Sequence, residues 1–442
     1  MLIFYRRLQY QKTINRIFTR LATKDMPLFF SAVHMYRFNF LPPNLTNRLN
    51  LLATFNLPKA MRLSQKYLQR FPHNRDLKLL LALMHLTSDN LSACRHLLNQ
   101  IKISLFTPSH LKASYAYMQA ATNLYNTDMD TSSRFCSKAL KIFKCKHCAY
   151  EQGQCYLLLA HIYRLCGFHD IAFTMLKEAE KIYIALNLPP KIAEIQAYIG
   201  LLELNRENYA VACEYLKSAM QTCNAEKYPE LNGTIQNWLG LIYYLQADFT
   251  KSKKAYNLVI KLSSSDLVCA LAHEMSARIF FRQDNFSQAL KETDKAIELN
   301  QKNHQSAGLF ETLYLKAEIY YTSGEYNESI KILTELINRK TPPKTTYYPA
   351  NAHSLLGLIY LKQNELTKAT TYFKQAIDLE NSRDRTKGAA IDYNNLAEIS
   401  LRQGEFQAAE TYLIQACKLA ETLQDDELKT YLQNKLAAHK SV

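Results

Sequence analysis

The chain has 442 residues, 48% of them hydrophobic, with 29 Tyr and 20 Phe, which exceeds one ordinary compact domain and supplies ample core. Its 10 Gly and 12 Pro are too few for a sandwich or barrel of many tight turns, and no run approaches the roughly 18 apolar residues of a membrane span. Ten scattered cysteines with no secretory leader fit a reducing compartment, and the net charge of +15 is concentrated early: residues 1–150 hold 22 Lys+Arg against 5 Asp+Glu, the remainder 32 against 34.

Residues 1–40 form a segment of their own. Within 1–24 there are six basic residues and no acidic one; Lys12, Arg16, Arg20 and Lys24 share one helical stripe, with Tyr10, Ile14, Ile17, Phe18 and Leu21 opposite. Such a pattern suits a mitochondrial targeting peptide, a helix on an anionic membrane surface, a docked first helix, or extra residues ahead of a start at Met26. Residues 41–112 then show divergent repeat-like units at 45–72 and 74–105. In them Lys59, Arg62, Lys66, Arg70, Arg75 and Lys78 recur at helical spacing as a candidate basic patch for phosphates or an acidic partner.

From residue 113 to 420 a regular beat sets in. A small residue is followed by a second after twelve positions and, in all units but the two with Val259 and Leu336, a third seven later, as in Gly357, Ala369 and Ala376, or Ala397, Ala409 and Ala416. The first members fall at Ala120, Ala160, Gly200, Gly240, Ala277, Ala317, Gly357 and Ala397. Six intervals are 40 residues and one is 37. Each unit carries two apolar stripes of helical period separated by a polar break such as 323-SGE-325. Small residues let two helices approach closely, while Leu356, Tyr360, Phe373, Leu396, Phe406 and Leu413 fill the space beside them. One helical hairpin cannot bury its own apolar face, so neighbours must stack. The stretches 341-TPPKTTYYPA-350 and 381-NSRDRTKGAA-390 fall between units and are expected to be loops, and residues 421–442 a polar-faced capping helix.

The L-G-x-x-Y of 239-LGLIY-243 and 356-LGLIY-360, the turn and aromatic of 324-GEY-326 and 404-GEF-406, and the paired alanines resemble the tetratricopeptide repeat. The period of about 40 exceeds the usual 34 of that repeat, as in its lengthened forms, and the closing proline is mostly missing. The resemblance implies an all-α, right-handed solenoid of nine or ten stacked antiparallel hairpins. It also implies that the first helix of each hairpin lines a groove for a partner's peptide or helix. Positions counted from the ladder give Leu157, His161, Arg164, Asn237, Leu241, Tyr244, Arg278, Phe281, Tyr314, Glu318 and Tyr321 as groove residues. Arg164 and Arg278 would meet carboxylates, and the tyrosines would supply rigid contact area.

Phosphate-loop, dinucleotide, hydrolase-elbow and H-E-x-x-H stretches are all missing, so no catalytic residue and no cofactor is expected. The stretch 145-CKHCAYEQGQC-155 raises a zinc reading on Cys145, Cys148 and Cys155 with His147. The ladder puts Cys145 at the end of one helix and Cys155 on the next, with Cys166 about 16 Å farther along, so no metal site is the favoured reading. The leading expectation is a cytoplasmic protein-binding scaffold. Its rivals are a peptide-responsive regulator and a mitochondrial assembly or translation factor touching RNA or membrane through its basic third.

Overall fold

The computed structural model describes residues 57–87, 90–104, 106–125, 128–222, 228–263, 266–302, 306–338, 348–381, 386–423 and 426–440. The segment 1–40 and its targeting reading therefore lie outside the described residues. Among those described, every regular element is an α-helix, and the chain divides into two compact units, 1–242 and 243–442.

In the first unit, α1 (Leu57–Arg70), α2 (Arg75–Thr87), α3 (Leu91–Asn99), α4 (Ser109–Tyr125) and α5 (Met129–Cys145) are followed by α6 (Ala149–Leu165), α7 (His169–Ala185), α8 (Pro189–Asn205) and α9 (Tyr209–Thr222). Helix α10 (Pro229–Leu245) runs across the division. The second unit continues with α11 (Phe249–Leu262), α12 (Asp266–Arg282), α13 (Phe286–Lys302), α14 (Ser306–Ser323) and α15 (Tyr326–Asn338). Then come α16 (Tyr348–Lys362), α17 (Leu366–Asn381), α18 (Thr386–Arg402), α19 (Phe406–Thr422) and α20 (Asp426–Lys440). Sequential helices pack as antiparallel hairpins, and successive first helices also touch: α4 with α6 in the first unit, α12 with α14 and α14 with α16 in the second.

The ladder is the seam of each hairpin. Ala120, Ala160, Ala277, Ala317 and Ala397 on the first helices, and Ser132, Ala172, Ala212, Ser252, Ala289, Ser329, Ala369 and Ala409 on the second, are all enclosed. Two serine rungs add a bond across the seam: Ser132 Oγ donates to Ala120 O at 2.7 Å and Ser329 Oγ to Ala317 O at 2.8 Å. At Gly357 the helices approach closely, for an added Cβ would lie 2.7 Å from the Phe373 ring. Leu356, Phe373, Leu396 and Leu413 fill the core as expected. Phe406 does not: it opens α19 and stays 60% exposed, because the first residue of a second helix precedes the buried turn.

The polar breaks are Schellman-type helix stops. Seven residues after each rung from Ala160 onward one residue takes a left-handed conformation: Gly167, Glu207, Ala247, Asp284, Gly324, Asn364 and Gly404. The next N–H then bonds back five residues, as from Phe168 to Tyr163 O at 2.9 Å and from Glu405 to Ser400 O at 2.8 Å. Both expected inter-unit loops are shorter than read, since α16 already begins at Tyr348 and α18 at Thr386. Pro349 is compatible with this, because the first turn of a helix tolerates a missing N–H. Ala389 and Ala390 are drawn into the helix by complete burial.

Candidate functional site

Positions −6, −3, +1 and +4 from the small rung of a first helix share one stripe, and the groove candidates lie on it. In the first unit, α6 presents Gln154, Leu157, His161 and Arg164 around Ala160, all buried. Leu157 is core. Arg164 Nη2 approaches His161 Nδ1 at 3.4 Å, and the His161 ring stands edge-on to Tyr198 of α8, itself tilted against Trp238 of α10. On α8 the stripe holds Glu194, bonded to Lys191 Nζ at 2.8 Å with both side chains enclosed. Burial pulls the Lys191 pKa down and pushes that of Glu194 up, with their mutual attraction opposing both shifts. Asn237 and Leu241 on α10 are likewise enclosed.

The second unit holds the most charged part of the stripe. Arg278 is half-buried, and its Nε and Nη2 donate to Glu274 Oε1 at 3.3 and 3.1 Å. Glu274 is fully enclosed, and its other oxygen lies 3.3 Å from Thr312 Oγ1 of α14, which also receives Asn300 Nδ2 of α13 at 3.3 Å. Burial works against the Arg278 charge, but Glu274, with Tyr244, Glu318 and Glu311 around it, outweighs burial and raises the pKa. The fork expected to meet a partner's carboxylate is thus engaged by a residue of its own helix. Glu318 and Tyr321 are half-buried, while Tyr244 and Tyr314 are enclosed. Rings at +4 rest on the aromatic opening the next helix: Tyr244 on Phe249, Phe281 on Phe286 and Tyr321 on Tyr326, with centroids 5.9, 6.2 and 5.9 Å apart.

Sequence reasoning missed Gln154, Glu194, Glu274, Glu311 and Asn394 on this stripe. The same ladder contained the signal: Glu274 lies three residues before Ala277, Asn394 three before Ala397, and Glu311 six before Ala317.

The basic patch divides. Lys59, Arg62, Lys66 and Arg70 stand exposed along α1, whereas Arg75 is half-buried and donates to Thr107 Oγ1 at 3.2 Å. Lys78 is buried on α2, a helix apolar nearly all round, so it leaves the patch. The alternative zinc set does not assemble. Cys145 and His147 are exposed, whereas Cys155 is enclosed, with Cys136 Sγ donating to its carbonyl at 3.3 Å. Burial, with Cys136 beside it, pushes the Cys155 thiol well above its usual pKa, opposing the thiolate a metal requires. Among the described residues no three His, Cys, Asp or Glu side chains converge as metal ligands. Nor is any described helix long and apolar enough to cross a membrane.

Residues 233–431 match the family model of the MalT-like TPR region. Its fold is that of the tetratricopeptide-type helical-repeat proteins. Solved structures share this fold along most of their length. The apo quorum sensor NprR of B. thuringiensis aligns with a TM-score of 0.52 and 16% identity, over 85% of this chain and 97% of that one. NprR in complex with its cognate peptide NprX aligns at 0.50 and 18%, over 76% and 97%. A human IFIT1 dimer with PPP-AAAA aligns at 0.55 and 13%, over 95% of each chain. No curated protein matches the sequence. In this repeat protein, as the register shows, the buried polar stripe belongs to the first helices.

Proposed function

We propose that the protein is a non-enzymatic scaffold whose first-helix stripe takes up a partner's peptide or helix. The observation that carries this reading is the desolvated polar stripe of the second unit. Glu274, Glu311, Asn351 and Asn394 are buried, and Arg278 and Glu318 half-buried, on successive first helices. Second helices bury mainly small and apolar residues, as α19 does with Ala409, Leu413, Ala416 and Ala420, with Asn300 of α13 and Glu380 of α17 as larger polar exceptions. Glu274 is held by Arg278 and Thr312, and Asn394 accepts from Lys435, so the stripe is a pre-ordered row of polar groups, and a peptide backbone offers donors and acceptors at regular intervals to such a row. That NprR, which shares the fold, has been solved with its cognate peptide supports the reading. No residue set of this chain calls for catalysis, and the cytoplasm is the proposed location; organelle import of a reporter fused to residues 1–30 would contradict it.

The test is affinity capture with the full chain beside a Glu318→Lys, Tyr321→Ala variant, both sites being half-buried. Wild-type protein is expected to retain a partner that the variant loses, and the bound partner to slow amide exchange in α14. Equal capture by both proteins, with unchanged exchange in α14, would sink the proposal.

A further inference from the structure

The first hairpin carries a second surface, independent of the groove stripe. Arg62, Lys66 and Arg70 recur every four residues on one stripe of α1, a helix whose sequence LPKAMRLSQKYLQR contains no acid. None of the three has a carboxylate partner among the described residues, and Leu63 lies exposed beside them. Later helices neutralise their own cations: Lys177 pairs with Glu180 and Lys181 with Glu178 on α7 of the same unit, and in the second unit Lys251 pairs with Asp248, Lys295 with Glu292 and Arg402 with Glu398.

Large apolar side chains stand open where α1 ends. Phe71 follows Arg70 and is 58% exposed; Ile103 and Phe106, in the connection after α3, are 39% and 97% exposed. The Arg75–Thr107 hydrogen bond ties that connection to the start of α2, four residues after Phe71. Thr107 also receives the Ser104 N–H at 2.8 Å, so the turn holds Thr107 inward and presents Phe106 outward. Exposed aromatics elsewhere differ, for Phe168, at 57% exposure, rests edge-on against Tyr163. Phe71 and Phe106 have no such ring partner among the described residues.

We propose that this end of the first hairpin docks on an anionic lipid surface. Phe71, Ile103 and Phe106 would enter the headgroup layer, while Arg62, Lys66, Arg70 and the exposed Lys102 beside Ile103 meet lipid phosphates. Cations flanking exposed apolar side chains match a bilayer interface, where apolar burial and attraction to acidic headgroups act together. An RNA strand would use the cations and could stack on phenylalanine, but it would give aliphatic Leu63 and Ile103 no role.

Co-sedimentation of the full chain with phosphatidylcholine vesicles, with and without phosphatidylserine, tests the proposal. The protein is expected to pellet with the acidic vesicles and to be released by salt. A Phe71→Ser, Phe106→Ser variant should bind at least tenfold more weakly, roughly the effect of removing two partly inserted rings. Reversing charge with Arg62→Glu, Lys66→Glu and Arg70→Glu should abolish binding, since each surface cation is worth about fivefold. Circular dichroism should show both variants folded, because every altered side chain is exposed. Failure to pellet with acidic vesicles would overturn the proposal, as would wild-type binding by both variants. Retention of an oligo(U) RNA without vesicle binding would transfer the surface to nucleic acid.

Discussion

Glu274→Gln is the sharpest probe of the polar stripe. The substitution keeps the side chain's shape and one carbonyl oxygen, so Arg278 Nη2 retains an acceptor while the enclosed negative charge disappears. At 3.1 Å, with an effective dielectric of about 20, the lost attraction is about 5 kcal/mol before compensation. Glu311 and Glu318 still favour the Arg278 charge, and breaking one side of a buried pair costs ~3 kcal/mol at the low end of its usual range. Repeat arrays open locally, so the loss should be read as amide exchange in α12 and α14, about a hundredfold faster at 3 kcal/mol. A Glu274→Leu, Arg278→Met double variant should recover most of that loss, because an apolar pair leaves no uncompensated charge. The reasoning fails if Glu274→Gln exchanges like wild type, or if the double variant is as loose as Glu274→Leu alone.

Two further outcomes are expected. Burial raises the Asp76 pKa to about 6, with the adjacent Arg75 opposing, and its Oδ1 has no hydrogen-bond partner. A folded pKa above the unfolded one means stability that is present below about pH 4 and lost as pH rises through about 6. Asp76→Asn should therefore stabilise at pH 7 by no more than ~1 kcal/mol after discounting for a half-exposed group, read as a higher melting temperature, and leave stability nearly unchanged at pH 4. At the turns, Ala247 holds φ at 60° and Gly404 at 76°. Ala247→Gly should stabilise by ~1 kcal/mol and Gly404→Ala should destabilise by a similar amount, both by thermal melting, because a Cβ is strained in the left-handed region.

The fold was legible because its signal is redundant. The twelve-residue step between small side chains recurs through eight units, with Val259 and Leu336 replacing the small third member in two, and each enclosed rung repeats the same demand for close helix approach. The turns were legible for a local reason: a left-handed residue is required seven positions after each rung from Ala160 onward, and three of the seven are glycine. The stripe was legible only as a set of positions. Leu157 and Leu241 sit on it as core, and Glu274 went unread although it lies one turn from Arg278. Its contact with Thr312, thirty-eight residues away, has no local signature. Lys78 was read as surface from charge at helical spacing, whereas α2 is buried from Leu77 to Leu86 among apolar residues.

The sequence by itself determined the helices, their stops and the pairing of neighbours, because those depend on side-chain size and backbone preference within about twenty residues. Tertiary structure alone decided which polar groups are desolvated and whom they bond. Stacking brings residues nearly one repeat apart into contact, so Glu274 meets Thr312 and Ser354 meets Asp392 at 2.6 Å. It separates others, leaving Cys155 enclosed while Cys145 and His147 remain in water. Spacing along a chain fixes a residue's phase on its helix, but burial depends on what the next hairpin places against that phase.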